Sequence, residues 1–393
     1  MNDKISIACL TSDLLGGRSF SINYNMMLII SGILENFDIQ CIDIFTHNIN
    51  DGSDCSFTEI QNDFEVFLPK DRIRIFKEDA VDYLNSADRV ASYSVLFVQM
   101  YVWSEAVERA KQLNPDLKVI SWIHSLLCQE YIANMQRKWI GYDNFLDMQK
   151  RLLDQADMVI TDSQFDNVNA KRFHNNIIKK SKVIYPVSSI IPVKENFCDV
   201  SGIKETSSIK LLYSGRWEYR KGVEQLIECF FRCYTEFGMK LDILSDSNYL
   251  EDYENIFQSP SVKRKFESLC SCGAVRMIRW KRSRTEYIEY VKNNCDIAVI
   301  PSLYDPFNII AYDCFCLGKP MVLSRFCGVE ELISDECDSV VKVNPFDVDD
   351  LYSGILELSH RIINQSSIRV EKPDYLHKNM ISDFVEVLSH LTK

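Results

Sequence analysis

The sequence lacks the long apolar runs and the leader features that mark membrane-spanning and secreted chains. No window reaches the roughly 18 uninterrupted apolar residues expected of a transmembrane helix. The opening residues, MNDKISIACLTSD, contain early acidic groups and pass directly into a strand pattern, without the basic start and apolar core of a signal peptide. We therefore expect a cytoplasmic protein without a strong membrane signal.

The spacing typical of a metal site is also missing. The 14 cysteines are scattered, several of them inside apolar runs, and the pairs Cys270/Cys272 and Cys314/Cys316 are C-x-C rather than repeated C-x-x-C. No paired-acid D-x-D motif, an arrangement that can hold a divalent cation, stands at a strand end. We expect buried, reduced thiols, no metal ion and no cofactor.

Clustered positive charge is absent as well. Acidic residues outnumber basic ones by 56 to 44, giving a formal net charge of −12, and both halves of the chain share the excess. Proteins that bind nucleic acid or anionic bilayers usually carry a concentrated Lys and Arg surface. The composition therefore excludes nucleic acid as an expected partner.

What the sequence contains is a regular alternation of strand-like and helix-like segments. A length of 393 residues exceeds the usual size of a single core, and the alternation is typical of parallel α/β sheets, so we expect two domains. Residues 186–208 are rich in Ser and Pro without clear periodicity, which indicates a linker. The predicted strands are Lys4–Thr11, Asp38–Thr46, Arg72–Phe76, Val95–Met100, Lys118–Ile123, Asp157–Thr161, Lys182–Tyr185, Lys210–Ser214, Leu241–Leu244, Val275–Ile278, Asp296–Ile300, Met321–Ser324 and Val340–Val343.

The chain is organised around PSLYDPFNIIAYDCFCLGKP, residues 301–320. Pro301 should end the preceding strand, and Phe307 should begin a helix after a turn. Asp305 and Asp313 are eight residues apart, so both carboxylates can face one cleft if Asp313 lies on the first turns. By spacing alone, an N-cap aspartate followed by a surface aspartate is the simpler interpretation.

Three further features follow strand ends. The segment GRWEYRKG presents Arg216 and Lys221, a cation pair suited to a diphosphate. His124 follows the strand VISWI, although a lone histidine is more often structural. Gly16 and Gly17 lie between a strand and a helix, a weak signal for a phosphate-side loop.

Taken together, these segments resemble family 4 of the retaining glycosyltransferases with the GT-B fold, the group 1 glycosyl transferases. The family signature reads P-S-x-x-E-x-F-G, then E-A-x-A-x-G-x-P, and a G-R-x(4)-K-G motif precedes it. Here Asp305 and Asp313 replace the two Glu residues, and Asn308 replaces the Gly. Asp is one methylene shorter than Glu, whereas Asn tolerates the left-handed backbone of the turn. The segments ADMVITDS and Gly328–Glu331 also match family patterns.

The resemblance implies two Rossmann-like domains facing across a cleft. We expect an N-terminal acceptor domain over residues 1–190 and a C-terminal donor domain over 191–372, with a helix in 373–393 packing back on the first domain. It further implies a metal-independent hexosyltransferase that uses a nucleotide sugar, most commonly a UDP-sugar, with retention at the anomeric carbon.

The resemblance also assigns roles to individual residues. Arg216 and Lys221 would stabilise the leaving diphosphate, Asp305 would bind sugar hydroxyls, and Asp313 would bind the ribose. His124 would contact the donor sugar from the first domain. The further donor-side candidates are Gly16, Gly17, Arg279, Trp280, Phe307, Asn308 and Ile309. Glu130 lies before an aromatic-rich run that either lines the acceptor side or packs as a helix.

Alternatives from other classes stay open. Nucleotide-sugar epimerases share this fold, and fold alone does not separate them from transferases. A non-catalytic homologue acting as a partner subunit is also possible, because Glu is replaced by Asp twice. The acidic composition suggests a soluble polar acceptor such as an amino sugar, an aminocyclitol or a glycan.

Overall fold

Two parallel β-sheets form the framework of the chain. A computed structural model describes residues 4–11, 20–46, 69, 71–76, 84–134, 141–193, 197–203, 205, 209–246, 256–280, 284–365 and 367–392. The chain divides into a first unit, Met1–Gln129 with Arg137–Val187 and Tyr375–Lys393, and a second unit, Glu130–Gln136 with Ser188–Asp374. Gly16 and Gly17 lie outside the described residues.

The first unit is built on a seven-stranded sheet of order β3-β2-β1-β4-β5-β6-β7, with parallel pairing throughout these neighbours. Short apolar runs such as ISIACLT and KVISWI are buried on both sides of the sheet, as expected where helices cover both faces. The strands are β1 Ile5–Thr11, β2 Ile39–Thr46, β3 Ile73–Phe76, β4 Val95–Val98, β5 Lys118–Ile123, β6 Met158–Thr161 and β7 Ser181–Val183.

Helices connect these strands. Ser163 caps the helix that follows β6, accepting a hydrogen bond from the Asp166 amide. The helices of this unit are α1 Phe20–Asn36, α2 Ala87–Val90, α3 Ser104–Leu113, α4 Leu127–Ala133, α5 Tyr142–Gln155 and α6 Gln164–Phe173, with α12 His377–Leu391 at the end of the chain. The α4 helix extends across the division into the second unit's segment 130–136.

The C-terminal helix α12 packs against α1 inside the first unit. Gly32 of α1 makes the close approach possible, because a Cβ there would lie 2.2 Å from Ile381 Cγ2. Phe384 of α12 meets Phe97 of β4 edge-on, with 4.9 Å between ring centroids. Burial of this apolar face fixes the chain's last helix onto the first unit's sheet layer.

The second unit repeats the plan with a six-stranded parallel sheet of order β11-β10-β9-β12-β13-β14. As Pro301 predicted, β12 ends at Ile300. The strands are β9 Lys210–Ser214, β10 Lys240–Asp246, β11 Val275–Trp280, β12 Ile297–Ile300, β13 Met321–Ser324 and β14 Val340–Val343. The helices are α7 Val223–Phe237, α8 Pro260–Ser271, α9 Arg284–Asn294, α10 Ile309–Cys316 and α11 Val348–Asn364.

Two local predictions need correction. The segment expected to be a linker contains β8, Phe197–Asp199, which pairs antiparallel with β15, Ser367–Arg369. Helix α10 begins at Ile309 rather than at Phe307, because Asn308 adopts a left-handed conformation and serves as the N-cap. The broader prediction of an α/β fold with two Rossmann-like units is confirmed.

Among the described residues, none of the helices has the length and apolar character needed to cross a bilayer.

Candidate active site

The loop between β9 and α7 positions the cation pair of the second unit. Gly222 ends a 3₁₀ turn over Tyr219–Lys221 and opens α7 with φ of 72°. A Cβ at this position would lie 1.8 Å from the carbonyl oxygen of Pro301, so only glycine allows the loop to approach β12 this closely. The same approach brings Lys221 to the loop that follows β12.

Lys221 forms an ion pair with Asp305. Its Nζ donates to Asp305 Oδ2, and both side chains are largely buried. Asn308 Nδ2 donates to the same carboxylate oxygen over 2.8 Å. The carboxylate is therefore fixed by one charged and one neutral donor, rather than standing free at the surface.

The turn that carries Asp305 is itself rigidly held. Asn308 has φ of 71°, confirming that asparagine supports the left-handed turn expected of the family's glycine. Its Oδ1 accepts a hydrogen bond from the Ala311 amide over 2.9 Å, which caps α10. Phe307 is buried against Tyr312, with 5.5 Å between the ring centroids, whereas Ile309 is partly exposed at the helix start.

Asp313 lies one turn further along α10 and has a different set of partners. Its side chain is fully buried, and Oδ1 accepts hydrogen bonds from Ser188 Oγ and Arg284 Nη2, each over 2.5 Å. Arg284 Nε also contacts Ser189 Oγ at 3.2 Å. Asp313 Oδ2 is buried and has no hydrogen-bond partner among the described residues.

Arg216 lies at the exposed end of a charged cluster. Its Nη1 is 2.9 Å from Glu218 Oε1, and about half of its side chain is exposed. Tyr213 Oη donates to the Arg216 carbonyl over 2.7 Å, which fixes the backbone below it. Burial raises the pKa of Glu218, and the neighbouring Arg216 partly opposes that effect.

Arg220 is the buried centre of this cluster, and the sequence analysis did not identify it. Its Nη2 lies 3.2 Å from Glu130 and its Nε 3.0 Å from Glu218. Its carbonyl accepts from the Leu303 amide over 2.8 Å, which joins the loop to the turn after β12. Glu130, expected near the acceptor, thus neutralises a buried arginine in the second unit. The sequence signal that could have identified Arg220 is its position, because it is a charged residue in the variable part of the G-R-x(4)-K-G motif.

In the first unit, His124 lies at the carboxyl end of β5, as predicted. Its Nδ1 is 3.1 and 3.2 Å from the two carboxylate oxygens of Asp162, which follows β6. Trp122 Nε1 donates to Asp162 Oδ1 over 2.6 Å. Gln99, which follows β4, places its Nε2 3.5 Å from His124 Nε2. Neither Gln99 nor Asp162 was a sequence candidate.

The remaining candidates are less informative. Arg279 is exposed near the end of β11, and the side chain of the adjacent Trp280 lies outside the described residues. Glu330 pairs with Lys342 at 2.9 Å. No group of three or more His, Cys, Asp or Glu side chains in the described part of the chain could hold a metal ion.

Comparison with protein families gives a match inside the second unit. Residues 193–369 match the family model described as Glycosyl transferases group 1. An uncharacterized glycosyltransferase of Methanocaldococcus jannaschii is 27% identical over 197 residues, which cover 50% of this chain and 45% of the relative. The matched segment therefore spans less than half of that relative's length.

Solved structures extend the likeness of fold to the whole chain. Sucrose-phosphate synthase from Thermosynechococcus elongatus has a TM-score of 0.61 at 17% identity, covering 99% of this chain and 96% of that one. Anabaena HepE, in complex with UDP and glucose, has a TM-score of 0.64 at 15% identity, covering 98% and 100%. These neighbours confirm the expected GT-B fold and, at such identities, the fold alone.

Proposed function

We propose that the chain, whose residues 193–369 match the glycosyl transferases group 1 model, is a glycosyltransferase that moves a sugar from a nucleotide donor to an acceptor. The observation that carries this proposal is the Lys221–Asp305–Asn308 cluster at the start of α10. It places a cation, a carboxylate and a helix N-terminus together, which suits a ligand with both phosphate charge and sugar hydroxyls.

In the proposed mechanism, Lys221 and Arg216 stabilise the diphosphate as the glycosidic bond breaks. Charge develops on the leaving oxygen in the transition state, so fixed cations lower the barrier more than they favour substrate binding. Lys221 already neutralises Asp305, and the donor's diphosphate would share this cation. The half-exposed Arg216, held through Glu218, supplies a second, forked donor.

The two aspartates bind different parts of the donor. Asp305 accepts hydrogen bonds from hydroxyls of the transferred sugar, next to the bond that breaks. Asp313 accepts a ribose hydroxyl at Oδ2, and the absence of another partner for this buried atom among the described residues supports the assignment. The Ser188 and Arg284 contacts at Oδ1 hold the shorter aspartate side chain in place.

The finer features of the proposal are a UDP donor, retention at the anomeric carbon and independence from metal ions. HepE was crystallised with UDP and glucose, which supports a uracil nucleotide here. In a retaining transfer, the acceptor attacks on the face from which the diphosphate leaves, and a diphosphate oxygen takes the acceptor's proton. Lys221 and Arg216 provide the positive charge that a magnesium ion supplies in other transferases.

We further propose an acceptor that is a soluble polar molecule, such as an amino sugar, an aminocyclitol or a glycan. A net charge of −12 favours approach of a neutral or cationic acceptor over an anionic one.

The test is incubation of the protein with UDP-, GDP- and ADP-sugars and an acceptor mixture, followed by measurement of nucleoside diphosphate and product mass. Transfer with release of UDP, an unchanged anomeric configuration by NMR and activity in EDTA are the expected results. Conversion of the donor to an epimer without transfer would favour the epimerase alternative. Absence of any reaction with every donor would favour a non-catalytic partner subunit.

A further inference from the structure

Polar residues stand at the carboxyl ends of four adjacent strands in the first unit. Thr11 ends β1, Gln99 follows β4, His124 follows β5, and Asp162 follows β6. Thr11 Oγ1 is 3.1 Å from Gln99 Oε1, and Gln99 and Asp162 each contact one ring nitrogen of His124. The four residues therefore form one line of contacts along the edge of the sheet where ligands bind in parallel α/β folds.

The hydrogen-bonding groups of Asp162 and Gln99 determine which ring nitrogen of His124 carries the proton. An ionised carboxylate can only accept hydrogen bonds, so Asp162 requires the proton on Nδ1. The Gln99 carbonyl lies 3.1 Å from Thr11 Oγ1, whose hydroxyl also contacts Asn23 Oδ1 at 3.0 Å, and the Gln99 amide group faces Nε2 of the histidine. In this orientation Gln99 donates toward Nε2, which agrees with the tautomer that Asp162 selects.

We propose that Asp162 and Gln99 are positioning residues that hold His124 as the Nδ1–H tautomer, and that a hydroxyl of the bound sugar replaces the Gln99 amide as the donor to Nε2. The His124 side chain is partly exposed, whereas Asp162, Gln99 and Thr11 are buried, so the ring is the member of the line that a ligand can reach. This inference rests on the proposed function for the identity of the ligand. It makes the first unit selective for a sugar with a hydroxyl at the contacted position.

Trp122 makes the proposal testable by a conservative change. Its indole Nε1 donates to Asp162 Oδ1 over 2.6 Å, so in Asp162→Asn the amide oxygen stays on the Trp122 side. The new NH₂ group takes the place of Oδ2, 3.2 Å from His124 Nδ1, and competes there with the amide oxygen, which lies 3.1 Å from the same nitrogen. The share of the Nδ1–H tautomer should therefore fall, with more of the proton on Nε2.

The first measurement is the ¹⁵N spectrum of the full chain labelled at histidine, with His124 assigned by its loss in His124→Gln. We expect a protonated Nδ1 and an unprotonated Nε2 in the natural protein, and a larger share of protonated Nε2 in Asp162→Asn. Trp122→Phe, which keeps the carboxylate, is the matched control and should retain the natural pattern. If Asp162→Asn fails to fold, Gln99→Glu supplies an acceptor opposite Nε2 and should shift the proton toward it.

The spectrum tests the tautomer proposal even if no donor is turned over. A failure of the tautomer proposal can therefore be distinguished from a failure of the proposed function. A proton on Nε2 in the natural protein, or an unchanged pattern in Asp162→Asn, would overturn the tautomer proposal.

The second measurement compares a donor sugar with analogues that each lack one hydroxyl. The natural protein should discriminate against one analogue by about tenfold or more in kcat/KM, and Asp162→Asn should lose most of that preference. Equal discrimination by both proteins against every analogue would remove the specificity role.

Discussion

At the scale of single residues, Lys221 has the most direct consequence for activity. Lys221→Ala removes the cation that neutralises Asp305 and that would face the leaving diphosphate. We expect turnover to fall by about 10²–10³, as for loss of one transition-state donor in a preorganised site. The measurement is kcat for release of nucleoside diphosphate. Lys292→Ala is the matched control, because it removes a half-exposed lysine paired with Glu289 and should leave kcat near normal. Near-normal turnover in Lys221→Ala would remove this role.

Replacing Asp305 or Asp313 by asparagine should change different kinetic parameters. Asp305→Asn should chiefly lower kcat, because its carboxylate is assigned to the reacting sugar. Asp313→Asn should chiefly raise KM, because the ribose is remote from the bond that breaks. It should also lower the free energy of unfolding by about 3–5 kcal/mol, because Arg284 then loses the partner of a buried ion pair. Steady-state kinetics and urea unfolding of both variants separate these effects, and the reverse kinetic pattern would contradict the assignment.

At the scale of elements, the approach of the β9–α7 loop to β12 depends on Gly222. Gly222→Ala adds a left-handed strain of about 1–2 kcal/mol and a clash with the Pro301 carbonyl. Gly273→Ala is a matched control, because Gly273 has φ of 70° and no atom within 4 Å of an added Cβ. Urea unfolding should show a loss larger by about 1–3 kcal/mol in Gly222→Ala than in the control. Equal losses of unfolding free energy in the two variants would mean that the close approach contributes nothing to stability.

The two sheets share a cross-strand arrangement that the sequence does not reveal. In the second unit, Arg276 on β11 forms a bidentate pair with Asp242 on β10, and Tyr290 donates to the same carboxylate over 2.6 Å. In the first unit, Arg74 on β3, Asp43 on β2 and Tyr93 make the corresponding set. Both pairs lie directly opposite in register, and both tyrosines precede the next strand of the sheet. No repeated motif links the two segments, because three polar residues spread over tens of positions leave no local pattern.

The sequence predicted elements well where the signal was local. Lys118–Ile123, Lys210–Ser214 and Met321–Ser324 are strands with the predicted ends, because a short apolar run in an α/β chain has few other ways to be buried. The strand β8 escaped prediction, because its three residues are stabilised by pairing with β15 far along the chain. The start of α10 was misplaced by two residues, because the backbone angle of Asn308 decides it.

The site residues also differ in whether a local sequence signal identifies them. Arg216, Lys221 and His124 stand next to strand ends and could be proposed from their positions, although their catalytic roles stay predictions. Arg220 and Asp162 could not be proposed, because each acts through partners that only the tertiary structure brings near. The sequence spacing also gave no sign that Asp313 is fully buried beside Arg284.

At the scale of the whole molecule, net charge bears on the nature of the acceptor. A protein of charge −12 is repelled on average by anionic bilayers, and docking would need clustered basic residues at about 1 kcal/mol each. A small candidate cluster lies at the end of α6, where Lys171 and Arg172 adjoin the exposed Phe173. We expect no sedimentation of the protein with phosphatidylserine-containing vesicles at about 0.15 M salt, because two cations offset little of the overall repulsion.

The matched variant for this test is Lys171→Glu with Arg172→Glu, which removes the cluster without touching the proposed donor residues. Both proteins should stay in the supernatant with anionic and with neutral vesicles, because neither presents enough local positive charge to hold a bilayer. Tight binding of the natural protein that weakens with salt and disappears in the variant would contradict a soluble acceptor. Because the vesicle test needs no donor, it reports on the acceptor's location independently of whether transfer has been observed.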